Sequence, residues 1–525
     1  MKARIEMSAL RRFSAILVAD LRERTRSTRF WIVLAIVGLA TWWCFPSMDA
    51  GYVTLAFSDN VRGIYSSAWV GMTLGLLYST LLSLIGFYLV RGTLVRDFDT
   101  RVWQLLVATP MTRGGYLLAK WASHMVVFTL IMLVGLVVGG IAQEVRGEDR
   151  AFDFVELAKP VFVLAMPAMA VTAFYAVLFD LLPWLRRTGG NVLYFWVWIF
   201  LSIAIADFID PAKVAWARHT WLSDPNGIAL AMRDLQAQLH LTIPGVKTSD
   251  ISIGANAITG RPIVFAWTHW SLRPIDVAGR LLWVSLAMLA TVALAPALDW
   301  AAARTRTAGS ERGAHPGRRL RWLDPLLRPL ESSSTGMVLA AELKLVLRQR
   351  RAWWWLAMVG FAIAQIVGNR EATGIAAIGA WMISVDAFAR AILRERETGT
   401  GALLFVASGA TRRLLAARIG AALLIACIAI APAAIHLAIV DAVASFALLA
   451  TAAGIAMGGL ALGVLCRNPR PFELLMVIFA YAGVQGAGPL AAVAHPVDAL
   501  HAQAILLPVC AAVLAMLWPR LARVR

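Results

Sequence analysis

The chain contains a tandem repeat. The segment Leu17–Arg22 reads Leu-Val-Ala-Asp-Leu-Arg, and a matching segment, Leu339–Lys344, reads Leu-Ala-Ala-Glu-Leu-Lys 322 residues later. A second pair, Arg96-Asp-Phe-Asp-Thr100 and Arg394-Glu-Arg-Glu-Thr398, matches at an offset of 298 residues. Both pairs lie in the same place relative to long apolar runs. This arrangement predicts two fused, homologous halves that imitate a twofold assembly.

Apolar residues occupy 60% of the 525 positions, which is more than the core of one soluble domain can bury. A helix needs about 20 mostly apolar residues to cross the hydrocarbon region of a bilayer. By that criterion we predict an all-α, multi-pass membrane protein with about twelve transmembrane helices, arranged as a pseudo-twofold tandem repeat of six. The predicted spans are 30–46, 66–90, 121–141, 160–184, 192–208, 277–299, 352–369, 373–392, 417–437, 442–465, 472–491 and 501–519.

The basic residues, which give a formal net charge of +18, fall in alternate loops. This is the pattern of the positive-inside rule, whereas a nucleic-acid-binding protein concentrates its basic residues on one stripe or patch. We therefore expect a lipid environment and no nucleic-acid partner. The same rule predicts that both termini are cytoplasmic. We expect the chain to lie in the cell (inner) membrane.

Four segments follow from the repeat and the spans. Residues 1–29 are predicted to form a basic, amphipathic helix along the cytoplasmic surface, here called the first elbow helix. Residues 30–299 are the first six-span half, and residues 300–336 are a basic cytoplasmic linker rich in small and polar residues. Residues 337–525 contain a second elbow helix and the second six-span half.

The first half has an external insertion at about 209–275 that the second half lacks. Within it we predict a helix at about 228–239 and an extended stretch near 251–264. Its three histidines do not have the spacing of metal ligands, so we expect no metal site there. The asymmetry suggests either substrate selection or contact with an external partner.

The repeated loop after the second span has the features of a short surface helix. In residues 96–113 two acids come first, the pair Leu105-Leu106 follows, and Pro110 ends the helix. The partner loop, residues 394–412, has the same order of acids, paired leucines and a breaker. An ordinary charged helix retained for topology is the alternative, but positive-inside bias does not dictate the order of acids or the position of a turn.

The order of an elbow helix, a pair of spans, an acid-led loop helix with a Thr-Arg turn and four further spans resembles the permease of an ABC type-2 exporter. The resemblance covers nearly the whole chain twice. In that family the loop between spans two and three is the coupling helix that docks on the ATPase subunit. The resemblance therefore implies ATPase contacts at Asp97, Asp99, Arg101, Arg113, Arg186 and Arg187 in the first half, and at Glu395, Arg396, Glu397, Arg412, Arg467 and Arg470 in the second. The second loop has Ser408-Gly409 where the first has Thr109-Pro110, which predicts two unequal contacts.

The resemblance implies a transport subunit that is not itself an enzyme. The chain has no G-x-x-x-x-G-K-[ST] phosphate loop, so ATP and Mg are expected on separate ATPase subunits, in two copies. An ion-coupled secondary transporter, which also favours internal repeats, is one alternative. A membrane enzyme or scaffold that uses the external segment is another, although the sequence has no recognisable set of nucleophile, base and orienting residue and no metal motif. The apolar spans do not identify a substrate.

A few ionisable or reactive residues fall within or beside the spans. Asp386 and Arg390 lie four residues apart on one predicted helix face, which favours a structural ion pair between them. The four cysteines are at unrelated spacings, and the sequence predicts neither a disulfide framework nor a metal site from them.

Overall fold

The computed structural model describes residues 2–57, 60–100, 102, 111–186, 188–209, 225–243, 251–258, 260–301, 323–350, 352–395, 409–486 and 488–523. The chain forms two compact units, Met1–Gly309 and Ser310–Arg525. The described part is mostly helical in both units.

The first unit begins with the first elbow helix, Lys2–Thr25, and continues directly into an apolar helix, Thr28–Trp43. Two short π-helical segments, Tyr78–Leu82 and Val161–Ala165, interrupt longer helices. The remaining α-helices of this unit are Ser67–Leu77, Ser83–Val90, Thr93–Asp99, Arg113–Arg146, Phe154–Pro160, Met166–Leu181, Thr188–Ile209, Ile228–Thr242 and Pro274–Ala293.

The first unit also contains a four-stranded sheet, which corrects the prediction of an all-α chain. Strands β1 (Tyr52–Phe57), β2 (Val61–Gly63), β3 (Ile251–Ala257) and β4 (Ile263–Phe265) lie in the order β3-β1-β2-β4. Strand β1 pairs antiparallel with β2 and β3, while β2 and β4 are parallel. The sheet therefore joins the loop after the first apolar helix to the predicted external insertion.

A buried ion pair fastens this sheet to the end of the helix Arg113–Arg146. The Arg62 guanidinium lies 2.6 Å from the Glu148 carboxylate, and the backbone N–H of Tyr65 donates to the same carboxylate at 3.0 Å. Both strands joined by the β1–β2 turn are buried. The charge pair therefore lies in a low-dielectric environment, where the attraction between the two charges is stronger than in water.

The second unit contains the second elbow helix, Ser334–Arg348, followed by the apolar helix Ala352–Val367. The predicted spans at 373–392 and 472–491 overlap the shorter helices Arg370–Met382 and Arg470–Val484. The other helices of this unit are Asp324–Leu327, the 3₁₀ turn Arg328–Ser332, Val385–Ala389, Ala410–Ala429, Ala431–Val440, Ala442–Cys466 and Pro496–Arg523.

Six helices of the described part are long and apolar enough to cross a membrane, which fits a membrane protein. A seventh candidate is the pair Ala410–Ala429 and Ala431–Val440, whose axes are bent by 64°. Three shorter apolar helices are Phe30–Trp43, Gly189–Phe200 and Ala352–Val367. The six long candidates are Ser67–Asp99, Arg113–Arg146, Phe154–Leu181, Pro274–Ala293, Ala442–Cys466 and Pro496–Pro519.

Candidate functional site: a duplicated ion-pair network

Asp20, on the first elbow helix, is the centre of a buried charge cluster in the first unit. Its carboxylate accepts hydrogen bonds from the Lys120 ammonium and the Arg24 guanidinium, each at 3.1 Å, and from the Ser123 hydroxyl. The Arg96 guanidinium lies 3.7 Å away. Elbow helix, loop and long helix Arg113–Arg146 therefore meet at one carboxylate.

Lys120 connects this carboxylate to a second one. Its ammonium lies 2.8 Å from Asp97, whose carboxylate also accepts a 2.6 Å hydrogen bond from the Tyr116 hydroxyl. Asp97 belongs to the helix Thr93–Asp99, which directly follows the helix Ser83–Val90. Lys120, on the helix Arg113–Arg146, thus binds one carboxylate from the first elbow helix and one from the helix Thr93–Asp99.

The surroundings of Asp20 favour its charged form. Burial by itself raises the pKa of this carboxyl, but the charges of Lys120 and Arg24 and the Ser123 hydroxyl outweigh burial and hold the pKa well below its usual range. Asp20 is therefore an anion throughout the physiological pH range, and the network is ionic.

The second unit contains the same network. The Arg394 guanidinium lies 2.6 Å from Glu342 of the second elbow helix. Arg418 is fully buried, contacts Glu342 at 3.4 Å and forms an ion pair with Glu395. One cation on the helix Ala410–Ala429 again holds two carboxylates, one from the elbow helix and one from the loop.

The network is made of four positions that correspond through the sequence repeat. Glu342 follows Asp20 at the first offset, and the other three pairs share the second offset. The corresponding pairs are Asp20 and Glu342, Arg96 and Arg394, Asp97 and Glu395, and Lys120 and Arg418.

Sequence reasoning missed Lys120 and Arg418, which hold the network together. Both lie beyond the quoted repeat segments, inside apolar spans or at their edge. The signal was available, because these two cations lie at the same offset as the pair Arg96 and Arg394. A buried cation in a span requires an acidic partner, and the repeated acids were the obvious candidates.

The two networks differ in their neutral polar groups. In the first unit, the Thr93 hydroxyl and His124 Nε2 are buried and lie 3.2 Å apart beside the ion pairs. At the second offset these two positions are Ala391 and Ala422, and Ser123 corresponds to Ala421. The second network is therefore almost purely ionic, whereas the first has additional hydroxyl and imidazole groups.

The predicted ATPase-contact residues divide into buried and exposed groups. Asp97 and Glu395 are buried and direct their carboxylates into the network. The exposed members are Asp99, Arg113, Arg412, Arg467 and Arg470. The predicted residues Arg101, Arg187, Arg396 and Glu397, and most of the two predicted loop helices, lie outside the described residues.

Two of the residues predicted to contact an ATPase, Arg113 and Arg186, interact with other residues of the first unit. Arg113 forms a 2.5 Å ion pair with Asp299. Arg186 donates to the backbone carbonyl of Asp180 at 2.8 Å and lies 4.7 Å above the Phe98 ring. Burial lowers the pKa of Arg186. Arg186 thus packs against the loop helix Thr93–Asp99.

The predicted ion pair between Asp386 and Arg390 is wrong. Asp386 pairs instead with Arg350 at 2.7 Å, because Arg350, just before the helix Ala352–Val367, brings its guanidinium directly to the carboxylate. The pair thus joins two elements and not two turns of one helix.

Within the described ranges, no group of three histidine, cysteine, aspartate or glutamate side chains could hold a metal ion. Comparison of the chain with protein-family models, with characterised proteins and with solved structures found no match in any of the three.

Proposed function

We propose that this chain is the membrane-spanning permease subunit of an ATP-driven exporter of the ABC type-2 kind, with both permease halves in one polypeptide. Separate ATPase subunits, in two copies, would bind ATP and Mg and move a substrate that the apolar spans do not identify. The observation that carries the proposal is the duplicated ion-pair network. It joins, in each unit, the loop implied to contact an ATPase to an elbow helix and to the third span.

The network gives a physical route for coupling. Lys120 and Arg418 each bind two carboxylates from different helices. Displacement of the loop would therefore either break these ion pairs or move the bonded helices together with the loop. Breaking a buried pair costs about 3–5 kcal/mol, which favours movement of the three elements as one body. The buried acids Asp97 and Glu395 would transmit the motion, while the exposed residues Asp99 and Arg412 would touch the ATPase.

The proposal includes twelve spans and two cytoplasmic termini. The six long helices, the bent pair and the three shorter apolar helices would supply ten of the proposed crossings. The helices Arg370–Met382 and Arg470–Val484 would supply the remaining two together with their flanking residues. Both networks would then lie on the cytoplasmic side, where the basic loops are expected.

Charge reversal of the exposed residues tests the proposal. A tagged wild-type chain should retain an ATPase on purification from its own host, and the double variant Asp99→Lys/Arg412→Glu should retain at least ~10-fold less, because like charges across an interface cost several kcal/mol. Arg150→Glu, an exposed change at the other end of the helix Arg113–Arg146, is the control. Equal ATPase retention by all three proteins would refute the assigned contacts. Transport in ATP-depleted vesicles driven by an imposed ion gradient would instead support a secondary carrier.

A further inference from the structure

The first elbow helix has an exposed basic face that the ion-pair network does not use. Arg22 and Arg26 lie four residues apart, so they share a face, and at 3.6 residues per turn this face is opposite to Asp20. Both are exposed, and no described acid forms an ion pair with either. Val18, one turn earlier on the same face, is 41% exposed. The face is thus both basic and apolar.

This face adjoins the point where the chain enters the predicted first span. Trp31 is 58% exposed, and its indole N–H donates to the backbone carbonyl of Thr25 at 2.8 Å. The next turns expose Ile32 and Ile36. Tryptophan concentrates at the headgroup level of membranes, with aliphatic residues beyond it in the acyl region. Arg22 and Arg26 are therefore placed beside the headgroups.

The second unit has a reduced version of this surface. Arg348, which corresponds to Arg26, is exposed, and Trp353, which corresponds to Trp31, is 47% exposed. Lys344, at the position of Arg22, is instead neutralised by Asp324 and Glu331 at 3.0 and 3.2 Å. Among the described side chains, this surface therefore has one arginine without an acidic partner, Arg348, where the first unit has two.

We propose that Arg22 and Arg26, beside Trp31, bind the headgroup of an anionic phospholipid in the cytoplasmic leaflet, and that Arg348 beside Trp353 is a weaker second site. The phosphate of the lipid satisfies the guanidinium groups, while its acyl chains cover Val18 and Ile32. The inference requires the two apolar helices to enter the membrane and does not depend on transport.

The test measures the thermal unfolding midpoint of the full-length protein in detergent micelles that contain increasing dioleoylphosphatidylglycerol. The midpoint should rise with this lipid and not with dioleoylphosphatidylcholine. Arg22→Gln/Arg26→Gln should raise the lipid concentration needed for a given midpoint shift about fivefold per arginine removed, and Arg348→Gln should raise it less than the double change. Arg150→Gln, at an exposed arginine outside this face, should leave the response unchanged.

Three results would overturn the proposal. One is an unchanged phosphatidylglycerol response in the double variant. Another is an equal midpoint shift with inorganic phosphate, since that would require no lipid. The last is loss of a co-purifying protein from the double variant while its lipid response persists, because the face would then bind a protein. These three results can be obtained whether or not the chain retains an ATPase, so failure of the ATPase-retention experiment would not affect this test.

Discussion

Lys120 is the residue on which the first network depends. Its ammonium is buried and lies within 3.1 Å of Asp20 and 2.8 Å of Asp97. Removing it leaves Asp97 without an ion-pair partner among the described residues, while Asp20 keeps Arg24 and Arg96. Removing the charges of Asp97 and Lys120 together strands neither. Buried ion pairs differ in this respect from surface pairs, since most of the cost comes from stranding the remaining partner.

Lys120→Met is expected to lower the free energy of unfolding by about 3–5 kcal/mol. Lys120→Arg should cost much less, because arginine occupies the corresponding position 418 and contacts the same two kinds of carboxylate. The double variant Asp97→Asn/Lys120→Met should recover most of the loss, because Asp20 keeps its ion pairs with Arg24 and Arg96. Thermal unfolding in detergent measures all three. A double variant no more stable than Lys120→Met would show that packing, and not the stranded charge, causes the loss.

Among the elements, the helices Ser67–Leu77 and Phe154–Pro160 make a close backbone contact that depends on glycine. A Cβ at Gly71 would lie 2.3 Å from the Leu157 carbonyl oxygen, and one at Gly75 would lie 2.8 Å from the Pro160 oxygen. The two glycines are one turn apart, which is the small-residue spacing that lets membrane helices approach closely. Backbone atoms cannot rotate away as a side chain can.

Gly71→Ala is therefore expected to destabilise the protein by about 1–3 kcal/mol, the usual cost of overpacking. Gly360→Ala is the matched control, because nothing lies within 4 Å of a Cβ at that helical glycine, and alanine there should be neutral or stabilising by up to ~1 kcal/mol. Thermal unfolding of the two variants side by side measures the difference. Equal midpoints would contradict the close backbone contact.

The bend in the second unit shows how one residue changes an element. The helix Arg113–Arg146 is continuous, but its counterpart ends at Ala429 and resumes at Ala431. Pro432, which has no N–H to donate, stands where the first unit has Val134. The buried Gln365 amide donates to the Ala429 carbonyl at 3.0 Å and accepts from the Ala433 N–H at 3.2 Å. It thereby satisfies backbone groups that a membrane environment would leave unpaired.

The sequence predicted local features better than distant contacts. The helix expected at 228–239 is Ile228–Thr242, and strands β3 and β4 lie within the extended stretch expected at 251–264. Strands β1 and β2 were missed, because apart from their own contact at Phe57 and Val61 their partners lie about 200 residues away. Alternation within a loop does not show which distant strand it pairs with. The Asp386–Arg350 pair was missed for the same reason.

For the whole molecule, the number of crossings depends on its short helices. Thr28–Trp43 and Ala352–Val367 have 16 residues each and rise about 24 Å, against a hydrocarbon core of about 30 Å. Each must therefore use flanking residues or a locally thinner bilayer to cross. Trp31 and Trp353, exposed near the start of these helices, are suited to the interface at that end.

The repeat makes a topological prediction for the whole chain, because twelve crossings place both ion-pair networks on the same side of the membrane. In a cysteine-free background, Asp99→Cys and Arg412→Cys, both exposed and beside the networks, should react with a membrane-impermeant maleimide only after cells are permeabilised. Arg150→Cys and His495→Cys, exposed in connections at the opposite ends of neighbouring spans, should react in intact cells. Labelling of positions 99 and 412 from opposite sides would require an odd number of crossings between them. The two halves would then be related by inversion, and two ATPase subunits could not contact both loops from the cytoplasm.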